Sequence, residues 1–264
     1  MDSVEKYENR IVVFIDVLGF SNLIKNTVDS KESTNSKRAK HDNFNNIKSA
    51  LSIVREKIEN FINEKNEKFL SLSQFSDSIV ISICEDSNIL VDIMKLLREI
   101  QMLLLYHNKI LIRGGVVKGL LIHTEKFLFG PAMINAHLLE SKCALSPRII
   151  VMPDVKKRFD EIVKLNQIDN KTKILCKDYD GTFYVNYFTY NKGDECLFKA
   201  DLYFREVCLI IKKNITRKDV SLKLKYYWMR DKLKHSNIYN DYKNIYHEVL
   251  YSNNKKSISN DEQS

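Results

Sequence analysis

Two aspartates stand where this sequence could do chemistry. Asp16 closes the apolar run IVVFI of residues 11–15, and Asp77 stands in the polar segment QFSDS. Each alone reads as a turn or helix cap. Brought together they are a different object. Adjacent carboxylates raise each other's pKa unless a cation lies between them. Magnesium or manganese fits that place, because hard cations take oxygen ligands and complete their shells with water and phosphate. Two such ions would activate a hydroxyl and stabilise charge on a phosphoryl group under attack.

The chain must build elements that bring the two residues together. Residues 11–15 predict a buried strand, and FSNLIKNTV after Gly19 can open a helix. The polar stretch 30–43 predicts an exposed, mobile loop. Ile47, Leu51, Val54, Ile58 and Ile62 recur at helical spacing over residues 44–63. Residues 69–74 and 78–84 predict two antiparallel strands whose tight turn carries Asp77. A helix is expected over 87–107, a strand over 109–122, a helix from Gly130 to Cys143 and a strand over 148–152. If the hairpin lies beside the first strand, the carboxylates meet at a sheet edge. This order suits one α/β sheet with helices packed on it. The last third predicts a strand at 182–189 and helices at 200–214, 219–235 and 237–251, with a frayed tail after Tyr251. The expected organisation is a domain over 10–190, a helical extension over 191–251 and a flexible tail over 252–264.

Composition excludes several classes. The 264 residues are 44% hydrophobic and 29% charged, the balance of a globular protein. No apolar run approaches the length of a membrane-crossing helix. The opening residues MDSVEKYENR do not resemble a secretory signal. Cys84, Cys143, Cys176, Cys196 and Cys208 are scattered singly, so neither zinc nor a disulfide framework is expected. A cytoplasmic setting is the simple reading, with no membrane partner. The net charge of +8 suits a phosphorylated ligand. A stable nucleic-acid partner is not expected, for no nucleic-acid-binding module is recognisable. His107 and His123 show no metal-ligand spacing, and His137 reads as packed or half-exposed.

Four segments carry a family resemblance. FIDVLGFS at 14–21, FSDSIVIS at 75–82, IRGGVVKG at 112–119 and FGPAMINAHLLES at 129–141 resemble, in order and spacing, the motifs of class III adenylate and guanylate cyclase catalytic domains. The resemblance covers roughly residues 10–155. It implies a ferredoxin-like, palm-like sheet flanked by helices. It also implies two manganese or magnesium ions on Asp16, the Val17 carbonyl and Asp77, and an active site between two head-to-tail copies of the chain. The turn of Val17, Leu18, Gly19 and Phe20 would offer N–H groups to the phosphates. Ser21 would cap the helix that follows or touch phosphate, the cap being preferred.

The departures from the family pattern matter as much. The family's transition-state Asn and Arg fall on Ile134 and Leu138, which donate no hydrogen bond. Asn135 is one position away, and a shifted register would recruit it. Lys142, Arg148 or Arg113 would supply the missing positive charge, Arg148 being preferred because it opens a strand after Pro147. The adenine-reading Lys and Asp are replaced by Ser73 and Phe127. An aromatic there suits a smaller ring, so the chain looks most like the compact pyrimidine cyclases of bacterial antiphage systems, with UTP favoured slightly over CTP. Two rivals share the chemistry or the fold: a palm enzyme making cyclic oligonucleotides, and a degenerate cyclase-like domain that binds nucleotide or protein. The Gly-Gly-Asp hairpin of the first is absent, since Ser76 and Ser78 flank Asp77.

Overall fold

The computed structural model describes residues 6–28, 34–65, 70–168 and 173–251. The chain divides into two compact units, Met1–Tyr187 and Phe188–Ser264.

The first unit is built on a mixed sheet. β1 (Glu8–Val17) is followed by α1 (Phe20–Lys25) and α2 (Thr34–Lys65). The hairpin β2 (Ser71–Phe75) and β3 (Ser78–Cys84) comes next, then α3 (Leu90–Leu103), which runs into a π-helical turn at Leu104–Asn108. β4 (Ile112–His123), β5 (Leu128–Phe129) and α4 (Pro131–Leu138) follow, α4 continuing as a π-helical turn at Leu139–Cys143. β6 (Ile149–Val151), α5 (Pro153–Leu165), β7 (Leu175–Lys177) and β8 (Phe183–Val185) complete the unit. The strand order is β2-β3-β1-β4-β6-β8-β7, with β5 paired to β4. Pairing is antiparallel throughout β2-β3-β1-β4 and parallel between β4 and β6. The first four strands thus have the order of the ferredoxin-like β-α-β-β-α-β unit that was expected.

β1 is apolar on both faces because both faces are covered. Ile11, Val13 and Ile15 join a core with Val54 and Ile58 of α2, much of α3, and Val155, Phe159 and Ile162 of α5. Val12 and Phe14 point the other way, into a smaller cluster with Ala132 and Ala136 of α4. On that side α4 lies almost against the strand backbone. A Cβ on Gly115 would stand 2.6 Å from the Ala136 carbonyl oxygen and 2.9 Å from Leu139 Cβ. Only hydrogen at this position permits so close an approach.

Several expected boundaries differ. Residues 34–43, expected as loop, are the first turns of α2; residues 30–33 lie outside the described residues. The segment lacks an apolar stripe, but Lys, Arg and Ala are good helix formers. Once a helix exists, lengthening it is easy. The strand expected over 182–189 ends at Val185. α5, β5 and β7 were not anticipated. The predicted tail at 252–264 lies outside the described residues, as does residue 69 of the first hairpin strand.

The second unit contains α6 (Ala200–Ile215), α7 (Val220–Lys234) and α8 (Tyr239–Tyr251), after a short 3₁₀ turn at Lys192–Cys196. Its interior is aromatic: Phe198 stacks on Tyr203, Phe188 meets Trp228 edge-on, and Tyr246 is fully buried. Among the described residues no helix is long and apolar enough to cross a membrane.

Gly115→Ala is expected to push α4 off the sheet and cost about 1–3 kcal/mol, the usual size of an overpacking penalty. Gly193→Ala, where an added Cβ meets nothing within 4 Å, is expected to change stability by no more than about 0.5 kcal/mol. Urea denaturation of the two variants checks both.

Candidate active site

β1 and β4 pair so that Asp16 stands opposite Arg113. β1 and β3 pair so that Ile15 stands opposite Ile79, which brings Ser78, the first residue of β3, beside Asp16. Asp77 precedes it in the two-residue turn of the hairpin. The turn is sharp, and Ser76 adopts a left-handed φ of 56°, a value more usual for glycine. The expected approach of Asp77 to Asp16 is therefore present: Asp77 directly precedes Ser78, whose hydroxyl bonds Asp16, and its charge is felt at Asp16.

The electrostatics follow from this crowding. Burial pushes the pKa of Asp16 up to about 6, with the Asp77 and Glu140 charges adding to it. Ser78 Oγ donates to Asp16 Oδ1 at 3.1 Å and pulls the other way. Arg113 lies 3.9 Å from Asp16 Oδ2 through Nη2. Its Nε approaches Glu140 Oε1 to 2.5 Å, as an ion contact off the angle of a hydrogen bond. Glu140 is only 2% exposed. Its burial raises its pKa, with Arg113 acting against that rise.

Glu140 was not singled out from the sequence, although a signal was there. Ala132, Ala136 and Glu140 recur every four residues and therefore share the face that α4 and its π-helical turn lay on the sheet. Gly119 meets Ala132, Gly115 meets Ala136, and the next step along β4 brings Arg113 to Glu140.

The other expected residues are placed as follows. Val17 is buried at the end of β1. The Leu18 N–H is already bonded to the Leu111 carbonyl at 2.8 Å, so Leu18 has no N–H left for phosphate. Gly19 takes the left-handed cap position (φ 78°), and the Asn22 and Leu23 N–H groups both bond its carbonyl. The N–H groups of Gly19 and Phe20 precede those first helical bonds. Gly19, not Ser21, thus caps α1, and no side chain assists.

Asn135 is exposed on α4, between Ile134 (62% exposed) and the buried Ala136. Leu138 is exposed one turn after Ile134. Arg148 has another occupation than the one expected. It is buried and ion-paired to both Asp178 and Asp180. A guanidinium neutralised by two carboxylates is poorly suited to meet phosphate, and Arg113 is the arginine beside the aspartates. Phe127 is half exposed in the β4–β5 connection, where its ring meets Phe129.

Ser73 shares the sheet face of Asp16, by the alternation of strand side chains and the register of the ladders. Its hydroxyl lies 2.9 Å from His123 Nε2, and Ser82 Oγ lies 2.8 Å from His123 Nδ1. In a flat sheet, β2 and β4 would stand roughly 14 Å apart. A β4 histidine that reaches a β2 serine therefore means that the sheet curls over this face.

The acceptor set fits a hard divalent cation. It offers two carboxylates and nearby carbonyl groups, with water and phosphate to complete the shell. Among the described residues no group of three or more His, Cys, Asp or Glu side chains gathers as an all-protein metal cage.

No family model matches the chain, and no curated protein does. Among solved structures, the chain is similar to the catalytic core of a rhodopsin-guanylyl cyclase with converted specificity in complex with ATPalphaS. The identity is 14% and the TM-score 0.39, over 69% of this chain and 97% of that one. It is also similar to a bacterial light-regulated adenylyl cyclase, at 16% identity and a TM-score of 0.40, over 69% of this chain and 92% of that one.

The histidine among the serines has a measurable consequence. His123 is 4% exposed. Burial, helped by the Arg10 charge, lowers its pKa from 6.5 to about 4. Neutral imidazole serves both hydroxyls, since one nitrogen donates and the other accepts. Between pH 6.5 and 4 the unfolded chain takes up a proton that the folded chain refuses. The contribution of His123 to stability is therefore complete above pH 6.5 and falls as the pH drops through this window, by up to about 3 kcal/mol, while Asp16, with its raised pKa, acts in the opposite sense in both proteins. His123→Asn is expected to flatten that slope. Denaturation curves at pH 7 and pH 4.5 read the difference, and parallel pH profiles for both proteins would contradict it.

Proposed function

We propose that the chain closes a nucleoside triphosphate to its 3′,5′-cyclic monophosphate with release of pyrophosphate. The observation that carries this reading is the carboxylate pair. Asp77 stands next to Ser78, which bonds Asp16, and burial with the Asp77 charge pushes Asp16 up to about 6. Holding like charges so close is unfavourable unless a cation is to be bound.

Asp16 and Asp77, with the Val17 carbonyl, would hold two manganese or magnesium ions. When bound, such ions activate the ribose hydroxyl and stabilise charge on the α-phosphoryl group and the departing pyrophosphate. Gly19 and Phe20 would turn their N–H groups to the outer phosphates. Arg113 takes the part first expected of Arg148, with its guanidinium held beside the pair by Glu140. Ser73 and Phe127 would frame the base. Without the lysine of adenine-reading relatives, the reading favours a pyrimidine, UTP ahead of CTP, and with it a second messenger of bacterial antiviral defence. The exposed apolar side chains Phe127, Phe129, Ile134 and Leu138 suit burial in a head-to-tail homodimer.

One observation favours a second reading. Ile134 and Leu138 are both exposed and apolar at the positions where the family pattern has donors. A domain that binds nucleotide or a partner without turnover would have no use for those donors.

The deciding experiment incubates the purified chain with manganese and each of ATP, GTP, CTP and UTP, and resolves products by mass. A cyclic pyrimidine nucleotide is expected, and Asp77→Ala is expected to lower its formation about a hundredfold or more. Nucleotide binding without any product would favour the second reading. Arginine variants separate chemistry from scaffolding. Arg113→Lys, which keeps a cation beside the buried Glu140 but loses the planar fork, is expected to lower kcat with little change in stability. Arg148→Met is expected to lose about 3 kcal/mol of stability, because it strands the buried Asp178.

A further inference from the structure

An open cavity of about 590 Å³ lies between α1, α2 and the tip of the β2–β3 hairpin. Its size is that of a small-molecule site. Phe44, Lys48, Leu51 and Arg55 line one wall. They recur at helical spacing, so α2 turns a second stripe toward the cavity, separate from the one that feeds the core. Phe20 and Ile24, four residues apart on α1, form the opposite wall. Single exposed apolar side chains are ordinary, but here two helices direct theirs into one hollow.

The charge of the hollow is one-sided. Lys48 and Arg55 line it, and no carboxylate among the described residues does. Arg55 is paired with Glu59 at 2.7 Å. Lys48 is exposed and forms no ion pair among the described residues. An apolar lining with an unneutralised ammonium at its edge calls for a ligand that is both apolar and anionic.

We propose that this cavity binds a small amphipathic anion, a compact aromatic or aliphatic body bearing one acidic group. The body lies between Phe20 and Phe44, and the acidic group meets Lys48. The site also touches both carriers of the carboxylate pair. Phe20 follows Asp16 across the Gly19 turn, and Ser76, which lines the hollow, directly precedes Asp77. α1 packs Phe20 and Leu23 against the core with no residue fully buried, and Ser76 sits in a left-handed conformation. A ligand that bridges them ties the two carboxylates into one arrangement and changes their affinity for divalent metal. This coupling rests on the metal reading of Asp16 and Asp77; the binding itself does not.

The test uses the full chain and anilinonaphthalene sulfonate, an aromatic anion, titrated by calorimetry with and without manganese. One equivalent is expected to bind. Lys48→Glu is expected to weaken binding about tenfold or more, equivalent to about 1.4 kcal/mol, and Phe44→Ala to weaken it too. Lys57→Glu, away from the hollow, serves as the control and is expected to leave it unchanged. Manganese and the probe are expected to shift each other's dissociation constants by the same factor. Multiple weak binding that ignores Lys48→Glu and Phe44→Ala overturns the site. Single-site binding with an unchanged manganese constant overturns the coupling and keeps the site. Probe binding in a chain that takes up no manganese keeps the site but overturns the coupling and the metal reading together.

Discussion

Everything around the candidate site depends on holding two like charges together. At roughly 4 Å, two carboxylates repel by about 4 kcal/mol if the surroundings screen like the edge of a protein. The chain counters this with backbone. Asp16 is fixed by a strand paired on both sides, to β3 and to β4. Asp77 is placed by the two-residue turn that closes the β2–β3 hairpin. Asp16 cannot retreat without breaking a ladder, so the cost appears there as a raised pKa, from burial first and from the Asp77 and Glu140 charges next. The burial of β1 on both faces is thus a requirement of the site as well as of the core.

The same strand sets the second layer. α4 must lie close to the sheet for Glu140 to reach Arg113. The closeness comes from Gly115, which leaves room for the Ala136 carbonyl. Arg113 is then held between a buried carboxylate and the half-buried Asp16. A glycine chosen for packing therefore decides where a guanidinium stands, two residues away on the same strand face.

Much of this was legible in the sequence, for a physical reason. β1, the hairpin and the helices of the first 150 residues announce themselves by apolar periodicity, and the two aspartates stand at the ends of such runs. What escaped had a weaker or a different signal. The first turns of α2 carry no apolar stripe, so a polar stretch was read as loop. α5 does carry one, in Val155, Phe159 and Ile162, with Pro153 opening it, and it could have been found. Arg148 was preferred because it opens a strand. Sequence does not reveal Asp178 and Asp180, which arrive from a loop about thirty residues on and neutralise it. His123 has no sequence signal of its role either, because the serines that hold it lie on other strands.

The charge count around the pair indicates what should bind first. Among the described residues, Asp16 and Glu140 share the guanidinium of Arg113, and the Asp77 charge is felt at both. With all three carboxylates ionised, negative charge outweighs the one guanidinium. A triphosphate approaching it alone would be repelled. A divalent cation would be attracted, and would displace the proton that Asp16 holds near pH 6. On the proposed reading, then, the cluster is a cation site before it is a nucleotide site, and the phosphates are drawn in by the ions. Arg113 fits that order. Tied to Glu140, it trims the negative charge without cancelling it, and it keeps a guanidinium beside the place where phosphoryl charge would build.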